Sequence, residues 1–147
     1  MPSAELQQVF DPLPQKDFIE FEKKYIDHPE DAGHKLNYAY GCVHCPEEHF
    51  VNTGLALLHE LLCQASSDSE KLYLYYLSAV GQYRLGELQQ AQEFIAKVNG
   101  IQPGHPQAKA LSKFINTEKR KRLVRNAGYA GAGILAAVAL TLAKSRK

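Results

Sequence analysis

Two cysteines and two histidines lie together in the segment GCVHCPEEH, and these residue types could bind a metal ion. Cys42 and Cys45 form a C-x-x-C pair, with His44 between them and His49 four residues further on. Zinc sites use four such ligands, but the chain has no second C-x-x-C or H-x₃-H pair to complete a recognisable motif. We interpret both cysteines as small thiols packed at a helix end, and we expect no metal and no cofactor. A redox role for the pair stays open.

Other candidates for catalysis are weaker. Gly128, Gly131 and Gly133 are spaced like a phosphate-binding loop, but no Lys-Ser/Thr ending follows and no strand precedes them. Glu47 and Glu48 suit the first turn of a helix, where carboxylates favour the helix dipole. No nucleophile is paired with a base. We therefore expect no catalytic residues, and we expect that the protein is not an enzyme.

Charge is distributed very unevenly along the chain. Residues 1–118 carry nine Lys and Arg against 16 Asp and Glu, a net charge of −7. Residues 119–147 carry eight Lys and Arg and no acid, a net charge of +8. Such asymmetry indicates a basic tail that meets an anionic surface. Because no aromatic residue interleaves the basic cluster at 119–125, a membrane fits it better than nucleic acid.

The C-terminal region has the pattern of a membrane anchor. Residues 126–143 contain no charge, and as a helix they would extend about 27 Å, close to the roughly 30 Å of a hydrocarbon core. We predict a transmembrane helix at 123–143 and a basic tail at 144–147, with the preceding domain in the cytosol. Since the anchor is short and weakly apolar, it suits a thinner membrane than the plasma membrane. The tail residues that we expect to act in membrane targeting are Lys144, Arg146 and Lys147.

Small residues recur every four positions within the predicted anchor, at Gly128, Ala132 and Ala136. Such a stripe lets two membrane helices approach closely, which predicts a homo-oligomer. The alternative is that Gly and Ala only lower the hydrophobicity of the segment.

Apolar residues at helical spacing predict an all-α domain at residues 14–122, preceded by an N-terminal arm at 1–13. No alternating strand pattern of convincing length is present. The fold class that we predict is a six-helix tetratricopeptide-like bundle, with two repeats plus capping helices, followed by one C-terminal transmembrane helix. The predicted helices cover about residues 14–28, 31–45, 50–62, 72–85, 87–98 and 107–122, and the last is able to continue into the anchor.

The second repeat fits the tetratricopeptide pattern well. Small residues let its two helices cross closely, a glycine makes the turn, and a proline stops the second helix. A weaker first copy contains Tyr38, Cys42, Gly54, Leu58 and Leu61. The positions that fit in the second copy are Tyr75, Ala79, Gly86, Leu88, Ala91, Ile95, Val98 and Pro103.

The chain resembles the mitochondrial fission 1 protein family from about residue 14 to residue 147. The phrases that carry the resemblance are FIEFEKKY at 18–25, YAYGCV at 38–43, GLALLHELL at 54–62, YYLSAVGQYRL at 75–85 and QAKAL at 107–111. The resemblance implies a six-helix domain with two repeats on the mitochondrial outer membrane, and often on peroxisomes. It also implies a role in organelle division through binding of adaptor proteins and a dynamin-related GTPase. The N-terminal arm is longer than the resemblance leads us to expect.

A partner would bind in the concave groove, which the first helix of each tetratricopeptide repeat lines. The expected surface is apolar and aromatic with one cation, and it suits a helix or an extended segment with apolar anchors. We expect Val80→Asp to abolish adaptor binding without changing helical content. The alternative is that these side chains are core. The predicted groove residues are Leu36, Ala39, Val43, Tyr73, Tyr76, Val80, Tyr83 and Arg84.

We therefore predict a tail-anchored outer-membrane adaptor that recruits division machinery for mitochondrial and peroxisomal fission. An alternative is a tetratricopeptide import receptor or chaperone co-factor on the organelle surface, although a chaperone-binding carboxylate clamp would need Lys and Asn in the groove. A third interpretation is a structural membrane oligomer driven by the small-residue stripe.

Overall fold

The computed structural model describes residues 11–145, with side chains described for residues 11–128. All regular structure in this part of the chain is helical, and the predicted six-helix, all-α fold is confirmed. The fourth helix begins at Asp68, earlier than the position near Leu72 that we predicted. The helices are α1 Gln15–Asp27, α2 Ala32–Val43, α3 Glu48–Gln64, α4 Asp68–Arg84, α5 Leu88–Ile101 and α6 Pro106–Ser145.

Local sequence explains where two of these helices begin. Asp31 precedes α2, and its carboxylate accepts a hydrogen bond of 2.8 Å from the backbone N–H of His34. Ser67 and Glu70 form a capping box at the start of α4, in which each side chain accepts from the other residue's backbone N–H. These bonds satisfy N–H groups that a helix start leaves without a partner. The polar segment at 66–69 therefore contains both the break after α3 and the cap and first residues of α4.

Each repeat is a pair of packed helices, α2 with α3 and α4 with α5. Gly86 lies between α4 and α5 with a φ of 77°, a conformation that glycine adopts without steric cost. In the first repeat, Gly54 of α3 contacts α2 directly. A Cβ at this position would lie 2.9 Å from Cys42 Cβ and 3.0 Å from the carbonyl oxygen of Ala39. Glycine at position 54 is therefore a requirement of the α2–α3 packing.

Two hydrophobic clusters stabilise the two repeats. Helix α4 contributes to both, because Leu74 and Leu77 pack into the first cluster while Ala79 and Val80 pack into the second. The first cluster contains Tyr38, Ala39, Cys42, Val43, Leu57, Leu58, Leu61, Leu74 and Leu77. The second contains Tyr76, Ala79, Val80, Leu88, Ala91, Ile95, Val98, Ala108, Leu111 and Ile115.

The terminal helices cap the two repeats, as predicted. Helix α1 packs Phe18, Phe21 and Tyr25 against the first cluster. The beginning of α6 supplies fully buried apolar residues, including Leu111 and Ile115, to the second. Neither repeat could bury its apolar faces alone, so the caps complete the core.

The chain divides into two compact units, Met1–Ile115 and Asn116–Lys147. The core-forming unit ends seven residues before the domain boundary that we predicted at 122, and our division into four segments stays a prediction. Helix α6 continues as a single helix to Ser145. Within the part of the chain whose side chains are described, no helix is both long enough and apolar enough to cross a membrane. The side chains of the predicted anchor from residue 129 onward lie outside the described residues.

Candidate partner-binding surface

A cavity of about 560 Å³ opens where α2, α3 and α4 meet, and two predicted groove residues line it. Leu36 of α2 and Tyr73 of α4 lie on its walls, and 42% of the Tyr73 surface is exposed. Glu70 and Gln64 add polar groups to the same cavity. The cavity can accept an apolar side chain and offers polar groups beside it.

Two tyrosines of α4 have raised pKa values, Tyr73 on the wall of the cavity and Tyr76 in the core beside it. Partial burial, together with the nearby Tyr40 hydroxyl, raises the pKa of Tyr73 above its usual value. Burial raises the pKa of Tyr76 to about 12, so its phenol stays protonated at neutral pH. The ring of Tyr76 lies 6.0 Å from that of His105, and its hydroxyl has no hydrogen-bond partner among the described residues. Because this hydroxyl is itself buried, a partner on the surface could not reach it, and Tyr76 belongs to the core.

Arg84 lies at the end of α4 that faces the turn between α2 and α3. Its Nη2 donates a hydrogen bond of 3.1 Å to the carbonyl oxygen of Cys45, while its buried Nε has no partner in the described part of the chain. Burial lowers the pKa of Arg84, but a guanidinium still carries its charge at neutral pH. Arg84 thus links the two repeats through this hydrogen bond.

His44 lies next to Arg84 and is almost fully buried, with 4% of its surface exposed. Burial lowers its pKa, and the positive charge of Arg84 acts in the same direction. The imidazole is therefore neutral at pH 7, and its Nδ1 donates to the carbonyl oxygen of Tyr40 over 2.8 Å when the proton is on that nitrogen. The Tyr40 ring packs against it with centroids 4.3 Å apart.

Half of the predicted groove set lies in the core instead. Ala39, Val43 and Val80 have no exposed surface, and Tyr76 keeps only 6%. They are buried because α2 and α4 turn these positions toward the two hydrophobic clusters. The carboxylate of Val80→Asp would be buried without a partner, so we now expect this variant to lose stability and helical content as well as binding.

The remaining predicted residues keep accessible surface. Leu36, Tyr83 and Arg84 are half-buried, and Tyr73 is exposed. Our sequence reasoning missed Tyr40, which follows Leu36 by one helical turn and lies near Tyr73. The spacing of Leu36 and Tyr40, four positions apart, was a visible signal for this stripe, which ends before the buried His44. That these side chains bind a partner stays a prediction.

Cys42 and Cys45 lie at the C-terminal end of α2, whereas Cys63 is exposed. Cys42 is fully buried in the first cluster, and burial raises its pKa to about 12, so its thiol is protonated. The Cys45 thiol donates to Glu47 Oε2 over 2.8 Å. Among the side chains that the structure describes, no group of three His, Cys, Asp or Glu residues lies close enough to hold a metal ion.

The predicted targeting residues and most of the small-residue stripe lie near the C-terminus, outside the described side chains. The targeting residues Lys144, Arg146 and Lys147 lie beyond the described side chains, as do Ala132 and Ala136 of the small-residue stripe. Gly128, the third member of that stripe, has nothing within 4 Å of the position that a Cβ would occupy. Membrane targeting and self-association both stay predictions.

Two stacked helix pairs with capping helices, and an aromatic surface on the first helix of each pair, define a tetratricopeptide-type interaction domain. Residues 71–121 match the family model described as the Fis1 C-terminal tetratricopeptide repeat. The mitochondrial fission 1 protein of Bos taurus is 30% identical over 142 residues, covering 89% of this chain and 92% of the relative. The Homo sapiens protein is 29% identical with the same coverage. The chain belongs to the mitochondrial fission 1 protein family.

Solved structures agree on the fold. Yeast Fis1 in complex with an Mdv1 fragment gives a TM-score of 0.73 at 19% identity, over 84% of this chain and 96% of that one. Saccharomyces cerevisiae Fis1 gives a TM-score of 0.72 at 18% identity, over 82% and 95% of the two chains. The sequence has therefore changed at most positions while the helical arrangement has been kept.

Proposed function

We propose that this protein is a tail-anchored adaptor of the mitochondrial outer membrane that recruits division machinery for mitochondrial and peroxisomal fission. The machinery comprises fission adaptor proteins and a dynamin-related GTPase. Its helical domain faces the cytosol, and residues 123–143 cross the membrane once. The observation that carries the proposal is the cavity between α2 and α4, in a chain of the mitochondrial fission 1 family.

The chemistry of the cavity fits an apolar anchor from a partner helix or strand. Leu36 and Tyr73 give it an apolar and aromatic wall, and tyrosine is enriched at binding hot spots. A yeast relative of the same fold has been solved in complex with an Mdv1 fragment, which supports a protein partner here. The cavity's described lining residues include no Lys or Arg, so a carboxylate clamp of the chaperone-binding type is disfavoured.

The test replaces the chain in cells that lack it and measures organelle length. We expect loss of the protein to give elongated mitochondria, and the wild-type chain to restore their length. Leu36→Ser with Tyr73→Ser should fail to restore it, because the apolar wall is lost, although the variant still reaches the organelle. Ile26→Ser is the matched control, since Ile26 is 66% exposed on α1 and lies outside the cavity lining.

Circular dichroism and thermal unfolding of the double-serine variant verify that the fold survives. Normal organelle length with accumulated precursor proteins would instead indicate the import receptor. Full restoration by the anchor alone would indicate a structural oligomer. Full restoration by the double-serine variant would refute the cavity as the binding surface.

A further inference from the structure

Five basic residues lie within two turns of α6, after the last core residue Ile115. They are Lys119, Arg120, Lys121, Arg122 and Arg125. They belong to the unit Asn116–Lys147, and no acidic residue lies between Lys119 and the end of the chain. Arg120, Lys121 and Arg125 are exposed, while Lys119 and Arg122 are half-buried. Arg122 lies 3.6 Å from Glu118, one turn before it.

The five cations encircle the helix instead of forming a stripe. Each residue of an α-helix turns by about 100°, so with Glu118 at zero, the residues from Lys119 to Lys121 lie at about 100°, 200° and 300°. Arg122 and Arg125 then lie at about 40° and 340°. A helix lying flat on a membrane presents its cations along one side of an apolar face. A ring of cations instead suits a helix that passes upright through a layer of anions.

The basic segment extends along the helix axis by about the thickness of a headgroup layer. Residues 119–125 rise about 9 Å along the helix axis. A bilayer of about 40–45 Å with a hydrocarbon core of about 30 Å leaves roughly 5–8 Å for each headgroup layer. Lys and Arg side chains can reach along the axis toward phosphates. All five cations can therefore contact one layer of headgroups at the same time.

Two apolar residues within the ring favour a lipid over an aqueous polyanion. Leu123 and Val124 are 70% and 67% exposed, and they adjoin the basic residues directly. The inner boundary of a headgroup layer would cover them with acyl chain. RNA would leave them in water, and no aromatic side chain in residues 119–128 offers a base to stack on.

We infer that residues 119–125 form an annular binding site for anionic phospholipids in the cytosolic leaflet. The inference rests on the proposed function, in which residues 123–143 span that membrane. The cations would hold lipid phosphates around the point where α6 enters the bilayer. The ring would thereby enrich acidic lipids at each anchored molecule and fix the depth of the anchor.

The absence of tryptophan from the chain allows a direct test. We introduce Asn126→Trp as the only indole and reconstitute the full chain into vesicles of phosphatidylcholine with one-fifth phosphatidylserine. Either lipid is supplied with brominated acyl chains, which quench tryptophan on contact. We expect brominated phosphatidylserine to associate about fivefold more strongly than brominated phosphatidylcholine. The preference should fall in 1 M salt, where the screening length shortens from about 8 Å to about 3 Å.

Two triple variants identify the residues responsible. Arg120→Gln, Lys121→Gln and Arg125→Gln together should bring the association ratio close to one. A control with Gln at Lys16, Lys23 and Lys109 loses the same charge from exposed positions elsewhere and should keep the preference.

The outcomes separate the ring from the anchor. Association per mole of lipid that is equal for the two lipids in the parent chain, or an unchanged preference in the ring variant, would overturn the annular site and leave the anchor standing. Quenching by neither lipid would show that the segment does not enter the membrane, and the proposed anchoring would fall with it. Ring-dependent retention of single-stranded RNA by the detergent-solubilised parent, without lipid preference, would assign the cations to nucleic acid instead.

Discussion

Gly54 lies where α3 packs against α2, and the space at this residue limits what the position accepts. An added Cβ would meet Cys42 Cβ at 2.9 Å and the Ala39 carbonyl oxygen at 3.0 Å, and the backbone cannot move aside cheaply. We expect Gly54→Ala to lower the free energy of unfolding by about 1–3 kcal/mol through overpacking. Urea denaturation followed by circular dichroism measures the change.

Gly100 supplies the matched control for this substitution. It lies near the end of α5 with nothing within 4 Å of its missing Cβ. Gly100→Ala should raise stability by about 0.5–1 kcal/mol, because alanine loses less backbone entropy in a helix. Equal effects at both positions would show that packing does not distinguish them.

His44 gives the fold a dependence on pH. Its buried ring has a pKa below the usual 6.5, so the unfolded chain binds a proton more readily than the folded one. The contribution is fully present above pH 6.5 and is lost as the pH falls, because stability rises with pH wherever the unfolded state binds more protons. We expect thermal stability to decrease from pH 7 to pH 5.

The variant His44→Asn isolates this effect, since its amide can donate to the Tyr40 carbonyl without titrating. Its stability should change less over the same range. The lowered carboxyl pKa values of Asp31 and Glu70 act only at more acidic pH, below their usual values near 4. A wild-type slope retained in the variant would assign the pH dependence to another group.

At the scale of elements, the start of α4 depends on one capping box. The Ser67 hydroxyl accepts from the Glu70 backbone N–H over 3.3 Å, and the Glu70 carboxylate accepts from the N–H groups of Ser66 and Ser67. We expect Ser67→Ala to cost about 1 kcal/mol of unfolding free energy. Ser66→Ala is the control because it keeps the backbone N–H that Glu70 binds. Equal losses in both variants would contradict the role of the box.

The helices could be predicted from the sequence because the helix-capping and helix-breaking residues agree with the apolar spacing along the chain. The residues from Tyr75 to Pro103 fit a known repeat, and its small and apolar positions Ala79, Ala91 and Val98 have no exposed surface. The start of α4 was placed too late, because Ser66–Ser69 contains both the break and the cap of the following helix.

The groove was harder to predict than the helices. Helix α4 packs into two clusters at once, so apolar residues occur on most of its sides and the pattern does not show which side stays open. On α2, our prediction followed Leu36, Ala39 and Val43, whereas the accessible stripe continues from Leu36 to Tyr40. Periodicity identifies an apolar face, but only the neighbouring helix decides whether that face is core or surface.

At the scale of the whole molecule, charge and structure change at nearly the same place. The acidic residues end at Glu118, three residues after the core-forming unit ends at Ile115. A folded acidic domain is thus followed by a helix with only basic charge. An anionic membrane would attract the second part and repel the first, which would leave the partner surface in the cytosol.

This division predicts the behaviour of a chain that lacks residues 119–147. All core residues are kept, since the last of them is Ile115. We therefore expect the tagged domain to fold with α1 to α5 and the core-forming start of α6 intact, and to spread through the cytosol. A fluorescent protein fused to residues 119–147 alone should instead reach the organelle surface. Fractionation of cells expressing each form, with carbonate extraction of the membranes, measures both. If the truncated domain pellets with organelles as completely as the full chain, the tail is not the anchor.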